Sequence, residues 1–288
     1  MKYDAKMVEL HPLKLPPLDS VRKEDDDFMV DLIEASNELR ECLLVTSNIV
    51  PSIELSPITG AVFFGLMVRL FKLYDTYVFL INEKRSEMAL IMGRSACETA
   101  IDLAYLMKDL DNNKIDEFVR SSLANSRKFY DEIEIDKGRG TGNPIIQNRI
   151  QSSILEAFSA AGYKIEDIKA KDWRLLKSVA DRAEDCELSR IYIFMYKNLS
   201  RITHGNWSEL LLYHLSQKNG LYYPNNAYNY PRPQSLDGIS ILVADSAKIY
   251  ADQIAPKSEV CERLKTISDW FRAMAFKHEG FMANSSKK

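Results

Sequence analysis

Between Pro57 and Asn82 the chain carries Phe63, Phe64, Leu66, Met67, Leu70, Phe71, Tyr74 and Val78, so a helix built here is apolar on most of its sides. Such a helix has to be surrounded, either by other helices or by lipid. Arg69, Lys72 and Asp75 interrupt the run, and no stretch of about 18 uncharged apolar residues occurs, which points to burial by protein and not to a membrane span. Ser56-Pro57 supplies the cap and the first-turn proline that start such a helix. The rest of the chain must therefore provide the helices that enclose this one.

The periodicity supplies them. Phe28, Leu32, Ile33, Leu39, Leu43 and Leu44 recur at helical spacing after the acidic start Glu24 to Asp27, and Pro51 closes that segment. Further helices are expected over about 86–108, 114–135, 144–161, 173–183, 187–204, 207–215, 236–254 and 257–277, the last pair divided by Pro256. No segment reads as an alternating strand and no repeat is visible. The expected class is all-α, a multi-helix bundle. Residues 1–22, with His11-Pro12, Leu13, Leu15, Pro16-Pro17 and Leu18, read as a proline-rich arm lying on its own domain or on a neighbouring subunit. Residues 23–280 read as a single helical domain and 281–288 as a disordered tail.

At 288 residues the chain can bury roughly 75% of its unfolded surface without covalent staples. A net charge of −3 means that any nucleic-acid contact has to come from a local patch, because the field of the whole molecule does not favour it. Cys42, Cys97, Cys186 and Cys261 are far apart and lack Cys-x-x-Cys spacing, so free thiols and a cytoplasmic setting are expected. His11, His214 and His278 are too scattered for ligand spacing, and neither a metal site nor a cofactor motif is found. The glycine-rich segment Gly138 to Gly142 follows a helix and leads into Asn143-Pro144, unlike a phosphate loop, and is read as a plain loop.

Two helices carry polar groups that an ordinary core would exclude. In 86–108, Glu87, Arg94, Glu98 and Asp102 fall along one narrow stripe of an otherwise apolar helix. That stripe suggests partial burial, where an ion pair needs further hydrogen-bond partners. In 187–204, Ile191, Met195, Leu199 and Ile202 form the aliphatic face, with Tyr196, Lys197, Ser200 and His204 gathered roughly opposite. Ser200 and His204 are candidates to complete the Arg94–Glu98 pair. His204-Gly205 also suits a plain helix C-cap. The loop at 216–235 holds Tyr222, Tyr223, Tyr228, Tyr230 and Arg232, which either stack on bases or pack onto the bundle.

The run Arg94-Ser95-Ala96-Cys97-Glu98, with Asp102 to Leu106 and the later Tyr196, Leu199-Ser200 and His204-Gly205, resembles an uncharacterised bacterial family of all-helical proteins. Its hallmark is an Arg-x-x-x-Glu helix followed by a Tyr-x-x-x-Ser-x-x-x-His helix, and the resemblance covers about 60–215. That family is similar to the HEPN superfamily of helical bundles, many of them metal-independent ribonucleases of toxin, antiphage and RNA-processing systems. The superfamily's motif is Arg, four to six residues, then His. Here Lys197-Asn198 and His204 have the spacing, with lysine where arginine is usual, and lysine offers a phosphate a point charge in place of a planar fork.

The resemblance implies a HEPN-like core with added N- and C-terminal helices, a homodimer with half a site per chain, and RNA phosphodiester cleavage through the substrate's own 2′-hydroxyl. His204 would act as general acid or base. Lys197 or Arg201 would bind the phosphate and Asn198 or Asn206 would position it. The alternative is a non-catalytic helical module for a nucleotide, an RNA or a protein partner, with Arg94, Glu98 and His204 as a buried polar lock. Neither reading involves a membrane.

Overall fold

The computed structural model describes residues 10–203 and 205–285, and His204 lies outside the described residues. Helices α1 (Asp25–Ser47), α2 (Pro57–Asn82), α3 (Ser86–Met107), α4 (Asn112–Gly138) and α5 (Pro144–Ala160) come first. Two 3₁₀ turns (Ile165–Asp167 and Ala170–Arg174) and α6 (Val179–Asp185) follow. Next, α7 (Ser189–Ile191) leads through a π-helical turn (Tyr192–Tyr196) into α8 (Lys197–Thr203). After α9 (Trp207–Glu209) come a second π-helical turn (Leu210–His214), β1 (Leu215–Lys218) and β2 (Leu221–Pro224). Helices α10 (Pro233–Ile254) and α11 (Glu259–Ser285) complete the all-α architecture.

Local chemistry sets the helix starts. Ser56 Oγ accepts from the Thr59 amide at 3.2 Å ahead of Pro57, Asp111 accepts from Asn113 at 2.8 Å, and Asn143 accepts from Ile145 at 3.0 Å ahead of Pro144. Asp27 reaches back to the Glu24 amide at 3.3 Å, and the three aspartates of the first α1 turn face the positive end of the helix dipole.

Helix α2 is long and apolar enough, by length and composition, to cross a membrane. Here Phe63, Met67, Leu70, Tyr74, Tyr77 and Val78 are fully buried, and α1 and α3 pack against it. Helix α10 packs on α1, α3 and α11, so α1, α2, α3, α10 and α11 share the main core. Tyr74 hydroxyl and Ser240 Oγ, 2.7 Å apart, join α2 to α10 inside it. A smaller core of Leu123, Ala124, Ile154, Phe158 and Ile168 holds α4, α5 and the segment after them together.

From residue 10 onward the proline-rich arm lies on its own chain. Leu10, Leu13, Leu15 and Leu18 pack against the main core, Trp270 Nε1 donates to the Pro16 carbonyl at 2.8 Å, and Arg263 donates to the His11 carbonyl and to Glu38 at 3.0 Å. Two expectations need correction. Residues 215–224 form an antiparallel hairpin pairing Ser216 with Tyr223, because Asn219 (φ 53°) and Gly220 (φ 78°) give the two positive-φ residues of a type I′ turn, a signal the alternation test passes over. Helix α11 also runs through Ser285, past residue 280, where a disordered tail was expected.

Close approach is tightest at Gly93 of α3. A Cβ there would lie 2.5 Å from Ile239 Cδ1 and 3.3 Å from the Tyr77 ring, and both neighbours are fully buried. Gly93→Val is expected to destabilise the fold by about 3 kcal/mol, through overpacking between α3 and α10, as a lowered urea midpoint with unchanged slope.

His278 is fully buried on α11, with Nε2 2.9 Å from Asp25 Oδ1, and ties α11 to the start of α1. Asp237 is buried near the start of α10, and burial pushes its carboxyl up to about 7, against the Gly238 amide and His278, which lower it. As pH rises from 4 the unfolded chain loses this proton first. The folded state holds it until about 7 and then must ionise inside the protein. Stability due to this group is therefore highest near pH 4 and falls through pH 7. Asp237→Asn is expected to raise stability at pH 8 by on the order of 2–4 kcal/mol and to flatten its pH dependence, read by urea unfolding at pH 5 and pH 8.

Candidate functional site

Arg94 projects from the middle of α3 toward α8, and each of its nitrogens is engaged. Nε donates to Ser200 Oγ at 3.1 Å, Nη1 to Glu98 Oε2 at 3.2 Å and Nη2 to the Tyr196 hydroxyl at 2.7 Å. The Tyr196 hydroxyl reaches Glu98 Oε2 at 3.3 Å, and the guanidinium carbon lies 4.7 Å from the Tyr196 ring centroid. Ser200 Oγ donates in turn to the Tyr196 carbonyl at 2.9 Å. Burial raises the Tyr196 phenol, keeping its proton as a donor to Glu98. These residues clamp α8 onto α3, with every nitrogen of the charged group committed to a protein partner.

Asp102 shares the stripe with Arg94 and Glu98 but takes a different partner. Its Oδ1 lies 2.6 Å from Arg182 Nη2 of α6, with both side chains largely buried. Burial is the main cause that raises the Asp102 carboxyl to about 6, with Arg182 opposing it. Arg182 also donates to the Lys177 carbonyl. Glu87, on the same sequence stripe, is buried and accepts from the Asn229 amide at 3.1 Å. One stripe in the sequence thus serves three separate neighbours. Removing one charge of the Asp102–Arg182 pair leaves the other buried and unpaired, so Arg182→Ala is expected to cost about 3–5 kcal/mol in urea unfolding. The double change Asp102→Ala with Arg182→Ala is expected to cost less than that single one.

The face that the sequence gathers around Tyr196 is also divided. Tyr196 and Ser200 turn inward to Arg94, whereas Lys197, Asn198 and Arg201 are exposed. Asn198 Nδ2 donates to the Phe194 carbonyl at 3.0 Å. Asn206 caps α9 through the Glu209 amide at 3.2 Å and donates to the Arg201 carbonyl at 2.7 Å, fixing the turn that follows α8. The Arg201 guanidinium makes no hydrogen bond or ion pair among the described residues.

At this turn a cavity of about 220 Å³ is lined by Asn198, Arg201, Ile202, Asn206, Ser208, Glu209, Leu212 and Tyr213. Leu212 and Tyr213 also line two further cavities of about 540 Å³ each, which reach Arg232, Ser235 and Asp25. The three run together as a groove from the end of α8 to the start of α1. Lys197 lines none of them. Arg232 lines both larger cavities and makes no ion pair among the described residues.

Sequence reasoning missed Glu209. It is buried, its Oε1 lies 3.0 Å from His214 Nε2, and its Oε2 has no hydrogen-bond partner among the described residues. Residues five apart lie on different faces of an α-helix, and the π-helical turn Leu210–His214 is what brings this pair together. No α-helical pattern in the sequence could signal it. Among the described residues no three His, Cys, Asp or Glu converge as metal ligands.

A family model described as a family of unknown function, DUF5677, matches residues 60–221. The chain belongs to that family. No curated protein and no solved structure matches. The DUF5677 span runs from within α2 to the start of β2, so it contains the Arg94 clamp, the Asp102–Arg182 pair and the turn around Arg201 and Glu209. Helices α1, α10 and α11, and with them Asp25 and Arg232, lie outside the DUF5677 match. The far half of the groove is thus built jointly, by Leu90, Leu212 and Tyr213 of the family span and by Asp25, Arg232 and Ser235 beyond it.

Proposed function

We propose that this protein is an RNA-cleaving effector of the HEPN-like kind, working as a homodimer in bacterial stress or antiphage defence. The observation that carries the reading is the unpaired, exposed Arg201 on the wall of the cavity at the end of α8, between Asn198 and Asn206 and three residues before His204. Arg201 takes the part for which the sequence offers Lys197. A guanidinium grips two phosphate oxygens at once, which suits a phosphodiester whose charge grows in the transition state.

In this reading His204 removes the proton from the substrate's 2′-hydroxyl, and the 2′-oxygen attacks phosphorus. The bond from phosphorus to the 5′-oxygen breaks, and the leaving 5′-oxygen takes a proton from the His204 of a second copy. The products are a 2′,3′-cyclic phosphate and a 5′-hydroxyl. Arg201 and Asn206 hold the non-bridging oxygens. Exposed Ile193, Phe194, Trp207 and Leu212 surround the same region and support self-association through it, since apolar patches on a surface mark contacts.

A second reading, a non-catalytic module for a nucleotide, RNA or protein, is supported by the engagement of all three Arg94 nitrogens, with the Arg94–Glu98–Tyr196–Ser200 set serving as a structural lock. Incubating purified protein with total RNA separates the two. Cleavage to cyclic-phosphate ends is expected from the wild type, with a loss of about 100-fold or more in Arg201→Ala and His204→Ala at unchanged thermal stability. Lys197→Ala is expected to retain most activity. Intact RNA with all variants, including in cells expressing the wild type under phage challenge, moves the conclusion to the binding module.

A further inference from the structure

Away from the groove, the 3₁₀ turn Ala170–Arg174 presents Trp173 on the surface, where 45% of it is exposed. Lys128 Nζ of α4 lies 5.2 Å from the centroid of its ring, and the Arg174 guanidinium carbon lies 5.1 Å away. Neither cation makes an ion pair among the described residues.

The backbone that carries the indole is anchored to α4. Ser121 Oγ of α4 donates to the Trp173 carbonyl at 3.1 Å. Asp172 is already engaged, accepting from the Lys169 amide at 3.1 Å and from Arg120 at 3.0 Å, and these contacts hold its carboxyl below the usual range. The carboxylate next to Trp173 in sequence is therefore neutralised from below and does not cancel Lys128 or Arg174. Residues 164–177 hold five Lys or Arg against three Asp or Glu, in a chain whose net charge is −3. Lys177 is paired with Asp185, so the local excess of positive charge that favours approach of a polyanion rests on Lys128, Arg174 and the remaining lysines of this segment.

An exposed indole with two uncompensated cations over its ring suits a ligand that brings an aromatic plane and a negative charge within one repeat. Single-stranded nucleic acid does so, with each base able to stack on the ring while the cations shift to the flanking phosphates. A duplex keeps its bases in its own stack, and an acidic peptide brings charge without a plane. We propose that Trp173, Lys128 and Arg174 form a contact site for single-stranded RNA, built on α4 and the 3₁₀ turn and separate from the residues that line the groove. Its role is to hold a strand outside the place where the strand is cut or read.

The test is binding of a fluorescein-labelled 2′-O-methyl 12-mer, followed by anisotropy across a salt series. That strand has no free 2′-hydroxyl and cannot be cleaved, so the result is independent of the proposed reaction. Trp173→Ala is expected to weaken binding about tenfold and Trp173→Phe by less. The pair Lys128→Gln with Arg174→Gln is expected to make the slope of log affinity against log salt shallower by about 1.4. Circular dichroism and thermal melting are expected to match the wild type, because all three side chains are exposed. Wild-type strength in a folded Trp173→Ala protein overturns the proposal, even if RNA cleavage is observed. So does absence of binding by the wild type, or displacement of the strand by poly-glutamate as readily as by unlabelled oligonucleotide, which would mark an acidic protein as the partner.

Discussion

The organisation of the site rests on the planar fork of Arg94. A guanidinium offers donors in fixed directions, and here Ser200, Glu98 and Tyr196 engage one N–H on each of its three nitrogens, two of these partners lying about a hundred residues further along the chain. Because the fork is rigid, satisfying it sets both the distance of α8 from α3 and the rotation of α8 about its own axis. With Tyr196 and Ser200 turned inward, Lys197 and Arg201 are turned out, and the end of α8 faces the cavity. A lysine at position 94 would satisfy one direction and leave the rotation loose.

Two π-helical turns bracket this region, at Tyr192–Tyr196 and Leu210–His214. Each widens the helix locally and shifts the faces of the residues around it. The first lets Tyr196 stack on Tyr192, with ring centroids 5.2 Å apart, while still reaching Arg94. The second brings Glu209 to His214 and places Leu212 and Tyr213 on the wall shared by all three cavities. Burial raises the Tyr213 phenol, which remains a donor in the groove. Ordinary α-helical continuation would have closed this wall differently.

The family span and the whole chain differ in what they build. The matched stretch holds the clamp and the near half of the groove, while α1 packs on α2, α10 packs on α3, and the starts of α1 and α10 bring Asp25 and Arg232 to the far half. Met195 shows how closely the two parts fit, since a Cβ on Gly238 of α10 would lie 2.8 Å from its sulfur. The flanking helices are therefore part of the wall of the site as well as of the core.

Much of the fold was legible in the sequence because it depends on local chemistry. Helix starts follow from Ser56-Pro57, Asn143-Pro144 and the acidic run before Phe28, but the enclosure expected for 57–82 is not met: α2 packs on α1 and α3 along one side and leaves Phe64 and Phe79 exposed on the other. The hairpin at 215–224 was not read, because its signal is the two-residue turn Asn219-Gly220 and its strands do not alternate in polarity. The partners of the polar stripe were not legible: Glu87, Arg94 and Asp102 look alike in sequence, yet they meet Asn229, Tyr196 with Ser200, and Arg182. Nor was the pairing of Glu209 with His214, which needs a π turn. Sequence by itself determined the helices and the candidate residues on them, since period and capping act within a few residues. Tertiary structure alone decided which charges are spent on holding helices together and which remain free for a ligand, because that depends on groups many residues apart competing for the same donors.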